Sequence, residues 1–300
     1  MKKNIIEIDL SHGKREIDLI NSFIFKIARL RDEWLRDVEH LDEILEKIRN
    51  KADIFTFWQR FPDCKPKYNF HMEWDNVAML EIKNFDYWWR HQINKKTRNM
   101  VRKALKMGVE AKVVKLNDDF IKGVVRIYNE TPIRRNEPFR HYGESFEIVK
   151  RNLSKYEKTS DFIGAYYEGE LIGFVHLIYT DKYALMSQIL SMIKHFNKAP
   201  NNLLIAKTVE LCAEKGVRYL IYGRMSENTL GKFKKRNGFI KVLVPRYYVP
   251  LNHKGKIALR LNLHKGIRGI LPQFIKRILR PIYYKSVKEI YLMKLKIKGI

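Results

Sequence analysis

The sequence predicts a mixed-sheet α/β protein, and three observations carry that prediction. Two short apolar runs flank the turn Glu168-Gly169-Glu170, and a third follows from Tyr183 to Leu190. An apolar-periodic stretch from about Asn202 to Lys215, closed by Gly216, has the spacing and stop signal of a helix. A fourth run, Arg218 to Tyr222, a short basic helix and a last run from Phe239 complete the order strand, strand, strand, helix, strand, helix, strand.

The rest of the chain follows in order. Ile5 to Leu10 reads as an opening strand. Ile17, Ile20, Phe23, Ile24, Ile27 and Leu30 fall at i, i+3, i+4 spacing and predict a helix from near Glu16. A second helix is expected at about 41–51, and strands at 55–58 and 77–82. Asn94 is placed to cap a helix from Lys95 to Met107, with Gly108 as its stop and a strand at 109–116 after it. On that helix Lys95, Arg98, Arg102 and Lys106 share one face, either a solvated basic surface or a cradle for phosphates. A helix at 119–131 ends at Pro132, and a short helix is expected at 145–153. Between them lies the polar stretch NETPIRRNEPFRHYG, too charged for a core and too aromatic for a plain linker. Its Arg134, Arg135, His141 and Tyr142 are candidate substrate contacts, and Glu130, Glu137 and His141 are candidate bases. His176 and Tyr222 sit in strand patterns and read as structural.

The 300 residues suffice for two domains, and the formal net charge of +26 favours polyanionic partners such as nucleic acid or an acidic lipid surface. The charge is uneven: residues 1–60 balance 12 basic with 12 acidic side chains, whereas residues 241–300 hold 15 basic and one acidic, Glu289. Cys64 and Cys212 are far apart and form no C-x-x-C pair, so a reducing interior is expected. No Asp, Glu, His or Cys set has metal-ligand spacing, and no metal is expected. No signal peptide, membrane span, G-x-S-x-G or P-loop is visible, which gives a cytoplasmic reading and disfavours serine hydrolases and NTPases. Past Pro250, Ile267, Ile270, Leu271, Phe274, Ile275, Ile278 and Leu279 make an apolar stripe among basic residues. That tail either packs back as a helix or lies on anionic lipid through residues 264–288, at the inner face of the membrane.

The strand–helix order of 160–250, closed by Asn237-Gly238-Phe239, resembles the GNAT acyl-CoA N-acyltransferase fold. K-T-R-N-M-V-R-K-A-L-K-M-G-V at 96–109, P-N-N-L-L-I at 200–205 and F-K-K-R-N-G-F at 233–239 resemble segments of FemAB-like acyltransferases, which are built from two GNAT-like units. The resemblance implies an N-terminal helical segment with a first, degenerate unit over 1–145, a second unit over 146–250, and a basic helical tail over 251–300. It implies transfer of an acyl or aminoacyl group to an amine, on a cell-envelope or polysaccharide precursor. The donor it implies is acyl-CoA such as acetyl-CoA, or alternatively aminoacyl-tRNA, as in FemAB-like proteins. Lys234 takes the place of the Tyr that ordinary GNAT enzymes use as an acid, with Arg224 as helper and strand-edge groups at Gln188 to Leu190 as oxyanion donors. The loop that would hold the donor phosphates has His195, Asn197, Lys198, Asn201 and Asn202 but no glycine. A non-catalytic binder of nucleic acid or anionic membrane is the third reading.

Overall fold

The structure is a computed structural model and describes residues 3–21, 24–266, 287–293 and 295. It is a mixed α/β protein with thirteen strands, β1 to β13, and eight helices, α1 to α8, among the described residues. The described residues form two compact units, one within 1–77 and 242–279 and the other within 78–241 and 280–300.

The first unit opens with β1 (Lys3–Leu10), β2 (Gly13–Asn21) and β3 (Lys26–Leu30), an antiparallel meander. Residues 16–21 and 26–30 are therefore strand, not the helix their spacing predicts, and Phe23 of that predicted face lies outside the described residues. Ile6 faces Ile17 and Ile8 faces Arg15 across the first hairpin, so residues two apart share the buried face. Ile24, assigned to the apolar helical face, is instead 58% exposed. The β-branched content of this stretch suits a pleated surface better than a helix. Helix α1 (Leu41–Ile48) buries Ile44 and Ile48 against this meander, beside β4 (Ile54–Trp58). The strand order here is β1-β2-β3-β4-β13-β5, with β5 at His71–Glu81 and β13 at Ile240–Pro250. Tyr247, Phe55 and Phe57 fill the core. A buried ion triad closes it: Arg246 donates to Glu33 at 3.1 Å and to Asp75 at 2.9 Å. Helix α8 (His253–Arg260) and a 3-10 turn, Leu263–Lys265, follow β13; the apolar stripe at 267–279 lies outside the described residues.

The second unit carries the strand order β5-β12-β11-β10-β9-β6. Its strands are β6 (Glu110–Val114), β9 (Ser160–Tyr167), β10 (Glu170–Tyr179), β11 (Ala184–Ser191) and β12 (Tyr219–Ile221). β9, β10 and β11 are the three predicted runs, and they pair antiparallel in sequence. A helical turn α2 (Phe85–Tyr87) runs into a π turn at Trp88–Gln92 and then into α3 (Lys95–Lys106), capped by Asn94 as expected. Helices α4 (Asp118–Tyr128) and α5 (Phe146–Ser154, capped by Ser145) pack on β9 and β10 through Phe120, Val124, Val149 and Leu153. Between them the polar stretch forms a small hairpin, β7 (Ile133–Arg134) and β8 (Glu137–Pro138). Helix α6 (Pro200–Glu214) is apolar on most sides because it lies against the sheet, and α7 (Thr229–Arg236) precedes β13.

Candidate active site

The site begins with a strand that outruns its neighbour. β11 and β12 are parallel and pair only at Ala184 with Leu220 and Leu185 with Ile221. β12 then stops, while β11 continues through Met186–Ser191. On its other side β11 carries a bulge: Leu177 faces Met186 but His176 faces Gln188, so Ser187 is extra. Backbone groups released in this way line the C-terminal ends of adjacent parallel strands, the usual place for a ligand in an open α/β sheet.

Two side-chain clusters stand at these strand ends. The first is built on Lys234. Asn228 caps α7 by accepting from the Leu230 and Gly231 N–H groups, and Gly231 packs so closely that a Cβ there would lie 1.5 Å from the Ser226 carbonyl oxygen. At the other end, Asn237 and Gly238 (φ +89°) turn the chain, and Trp88 Nε1 donates to the Asn237 carbonyl at 3.1 Å. This clamp buries Lys234 to 3% exposure at the end of β12. Its ammonium donates to the carbonyls of Tyr222 (2.5 Å) and Arg224 (2.8 Å) and lies 4.2 Å from the centre of the Tyr222 ring. Burial, and then the positive charge of Arg135, push its pKa down to about 8. Arg135 sits at the tip of the β7–β8 hairpin, where it and Asn136 have φ of +54° and +62°, a mirror-image two-residue turn. Burial pushes the Tyr222 phenol up to about 12, against the pull of Arg135.

The second cluster is a hydrogen-bonded chain through Gln188. The Tyr128 hydroxyl donates to Gln188 Oε1 at 2.7 Å, and Gln188 Nε2 lies 3.2 Å from His141 Nε2. Arg140 Nε reaches the same ring nitrogen at 3.0 Å, while His141 Nδ1 lies 2.9 Å from Glu144 Oε1. With two donors on Nε2, the network assigns the ring proton to Nδ1, where it is donated to Glu144. The imidazole stacks on Tyr128 at 4.6 Å. Burial lowers the His141 pKa, opposed by Glu144, and burial raises that of Tyr128, so a neutral imidazole faces a protonated phenol.

The other predicted residues make contacts of their own. The Glu130 carboxylate accepts from the N–H groups of Ile193 (2.7 Å) and Lys194 (2.9 Å) and from Arg134 Nη2 (2.9 Å). Arg134 in turn donates to the carbonyls of Ser191 and Ile127, each at 2.9 Å. These contacts pin the turn after β11. Arg98 donates to the carbonyls of Trp89 (2.9 Å) and Ile93 (2.7 Å), and Arg102 lies over the Trp89 ring, so both lock the π turn to α3. Tyr142 sits in the turn after His141, its N–H donating to Phe139 O. Arg224 lends its carbonyl to Lys234. In the loop after β11, Lys198 lies over the Tyr167 ring, and His195 is largely buried near Tyr167 with neither ring nitrogen hydrogen-bonded. Asn197 belongs to the 3-10 turn of that loop. Helix α6 then starts with Pro200, which has no N–H, and Asn202 N–H is already given to Ala199 O; Asn201 Oδ1 is buried without a partner. His176 is structural as expected: it reaches Ser160 Oγ at 3.1 Å, stacks on Phe162, and burial pushes it down to about 4.

Glu144, Tyr128 and Arg140 were not singled out from sequence. The i, i+3 spacing of His141 and Glu144 was the available signal for one of them.

No family model matches the chain, and no curated protein does. Solved structures do. The C-terminal domain assigned to a lysylphosphatidylglycerol synthetase from Agrobacterium fabrum superposes with a TM-score of 0.59 at 13% identity, over 89% of this chain and 91% of that one. L-PGS from Bacillus licheniformis gives 0.57 at 12% identity, over 88% of each chain. FemX gives 0.57 at 12% identity, over 86% of this chain and 90% of that one. The fold is GNAT-like. Within it, the parting of β11 from β12 and the turn after β11 are the places where the predicted acyl-transfer groups fall. No helix among the described residues is long and apolar enough to cross a membrane.

Proposed function

We propose that the chain transfers an aminoacyl group from aminoacyl-tRNA to an amine of a cell-envelope precursor, in the manner of FemAB-like enzymes. The observation that carries the choice of donor is the use of Glu130. A GNAT-like turn after this strand would offer free N–H groups to the pyrophosphate of acyl-CoA. Here a carboxylate already occupies two of those N–H groups, the turn has no glycine, and α6 begins with proline. A diphosphate in that place would meet a negative charge. The buried Lys234 and the +26 net charge suit a polyanionic donor instead. The names of two structural neighbours, a lysylphosphatidylglycerol synthetase and FemX, are in keeping with an aminoacyl group and an envelope acceptor.

In this reading the acceptor nitrogen displaces both the exposed Arg140 and the Gln188 amide from His141 and gives its proton to Nε2, with Glu144 steadying the imidazolium that forms. Backbone N–H groups of β11 beyond Leu185 take the carbonyl oxygen as it becomes an oxyanion. The ammonium of Lys234 offsets charge on the departing tRNA ribose oxygen and supplies its proton. Acyl-CoA is the second reading, supported by the fold. Titrating the purified chain with uncharged tRNA and with acetyl-CoA separates them. The expected result is tRNA binding at micromolar concentrations, with no thermal stabilisation by low-millimolar acetyl-CoA. Stabilisation by acetyl-CoA without tRNA binding overturns the choice of donor.

A further inference from the structure

The first unit holds a second constellation that the acyl-transfer chemistry does not use. We propose that His71, Glu73 and His264 bind a divalent transition-metal ion of the zinc class, leaving a fourth position for water. His71 and Glu73 are two residues apart on β5, so their side chains leave the same face of the strand. The third group comes from 191 residues further on: Asn262, at φ +56°, turns the chain into the 3-10 turn Leu263–Lys265 and brings His264 back over β5. His264 Nε2 lies 2.8 Å from Glu73 Oε1, and His71 Nε2 lies 3.4 Å from the same oxygen. One ligand atom from each of the three residues falls within 4.8 Å of the others. Ligands about 2.0–2.2 Å from a tetrahedral ion lie roughly 3.3 Å apart, so small side-chain shifts would admit the metal.

The surroundings point the same way. The His264 side chain is fully buried, whereas His71 is 41% exposed and opens the site to solvent. Tyr248 packs on both imidazoles, at 4.6 Å from His264 and 5.9 Å from His71, and holds the rings crossed at 78°. His264 Nδ1 is buried with no partner, so hydrogen bonding to Glu73 satisfies only half of this ring. Two imidazoles and one carboxylate are a donor set that suits zinc, and it is too nitrogen-rich for calcium or magnesium.

Lys265 shares the same carboxylate. Its ammonium lies 2.9 Å from Glu73 Oε1 and stands in for the cation. At 39% exposure it is free to swing out when a metal arrives. Metal and ammonium then compete for one oxygen, which gives the proposal a signature that scattered surface histidines lack.

The test is cobalt(II) titration of the chelator-treated full chain, followed by visible absorption and by zinc competition. One equivalent should bind with the intense d–d bands of four-coordinate cobalt. His71→Ala, at an exposed position that leaves the core intact, should weaken binding by more than the roughly 10- to 100-fold that loss of an outer-shell partner costs. Lys265→Gln should tighten it by about tenfold or more by removing a like charge. His12→Ala, which disrupts the separate His12–His40 ring pair, should change nothing. Weak octahedral-type absorption, unchanged affinity in His71→Ala or Lys265→Gln, or loss of binding in His12→Ala would each overturn the assignment.

Discussion

In the proposed reaction Lys234 carries the charge that meets the leaving group. Exchange for Met keeps the length of the side chain and removes the charge. The carbonyls of Tyr222 and Arg224 lose a donor, for a stability loss of about 1–3 kcal/mol, while transfer should slow by about 100-fold or more. Thermal melts and single-turnover rates on Lys234→Met check the two effects separately. The pH dependence has a defined sign. His141, held below its ordinary value of 6.5, must be neutral to accept a proton, so the rate should rise through a limb below pH 6.5. Lys234 must be charged, so the rate should fall as pH passes about 8. His141→Gln should remove the acid limb and lower the rate by about 100-fold, whereas a limb that survives would acquit the imidazole. Linkage adds a check on Lys234. Between about pH 8 and 10.5 the unfolded chain holds a proton that the folded chain has released, so the wild type should gain stability relative to Lys234→Met across that window. Lys234 was legible because its motif is local, running from Phe233 to Phe239. The proton chain was legible only in part: His141 and Gln188 stood out, but Tyr128 joins them from another element. The contacts of Glu130 were hidden for the same reason, since nothing local shows that two backbone N–H groups from residues 193 and 194 would claim its oxygens.

Among the elements, α7 and the turn after β11 set where these groups stand. Gly231 lets α7 close on the Ser226 carbonyl, so Gly231→Ala should push the helix off β12 and carry Lys234 with it. Activity should then fall with the ammonium still present, and loss of near-UV circular dichroism from the Trp88 contact would report the displacement. Glu130→Ala should behave differently. Leaving the nearly buried Arg134 with carbonyl partners but no counter-charge costs about 3 kcal/mol, so chemical denaturation should show a large loss. A Glu130→Ala chain as stable as wild type would mean the carboxylate is not pinning the turn. The helix cap at Asn94 and the three runs from 160 to 190 were readable because each signal lies within its own element. The stretch from 16 to 30 was not. Its isoleucines satisfy a helical period by coincidence, and only pairing with β1, a long-range fact, selects the strand period of two.

Over the whole molecule, charge is the main property to explain. The excess of +26 arises beyond a neutral first sixty residues, and a tRNA donor gives it a use. If phosphate contacts dominate, tRNA affinity should fall by about tenfold or more between about 50 and 200 mM salt. Flat salt dependence would remove the reason for preferring a nucleic-acid donor. The most direct measurement is the release of aminoacyl groups from charged tRNA to hydroxylamine, a small stand-in for the acceptor amine, under single-turnover conditions at neutral pH. The wild-type chain should form the aminoacyl hydroxamate and free the tRNA, and Lys234→Met should do so about 100-fold more slowly. Equal rates in the two proteins, or hydroxamate formed from acetyl-CoA and not from aminoacyl-tRNA, would contradict it.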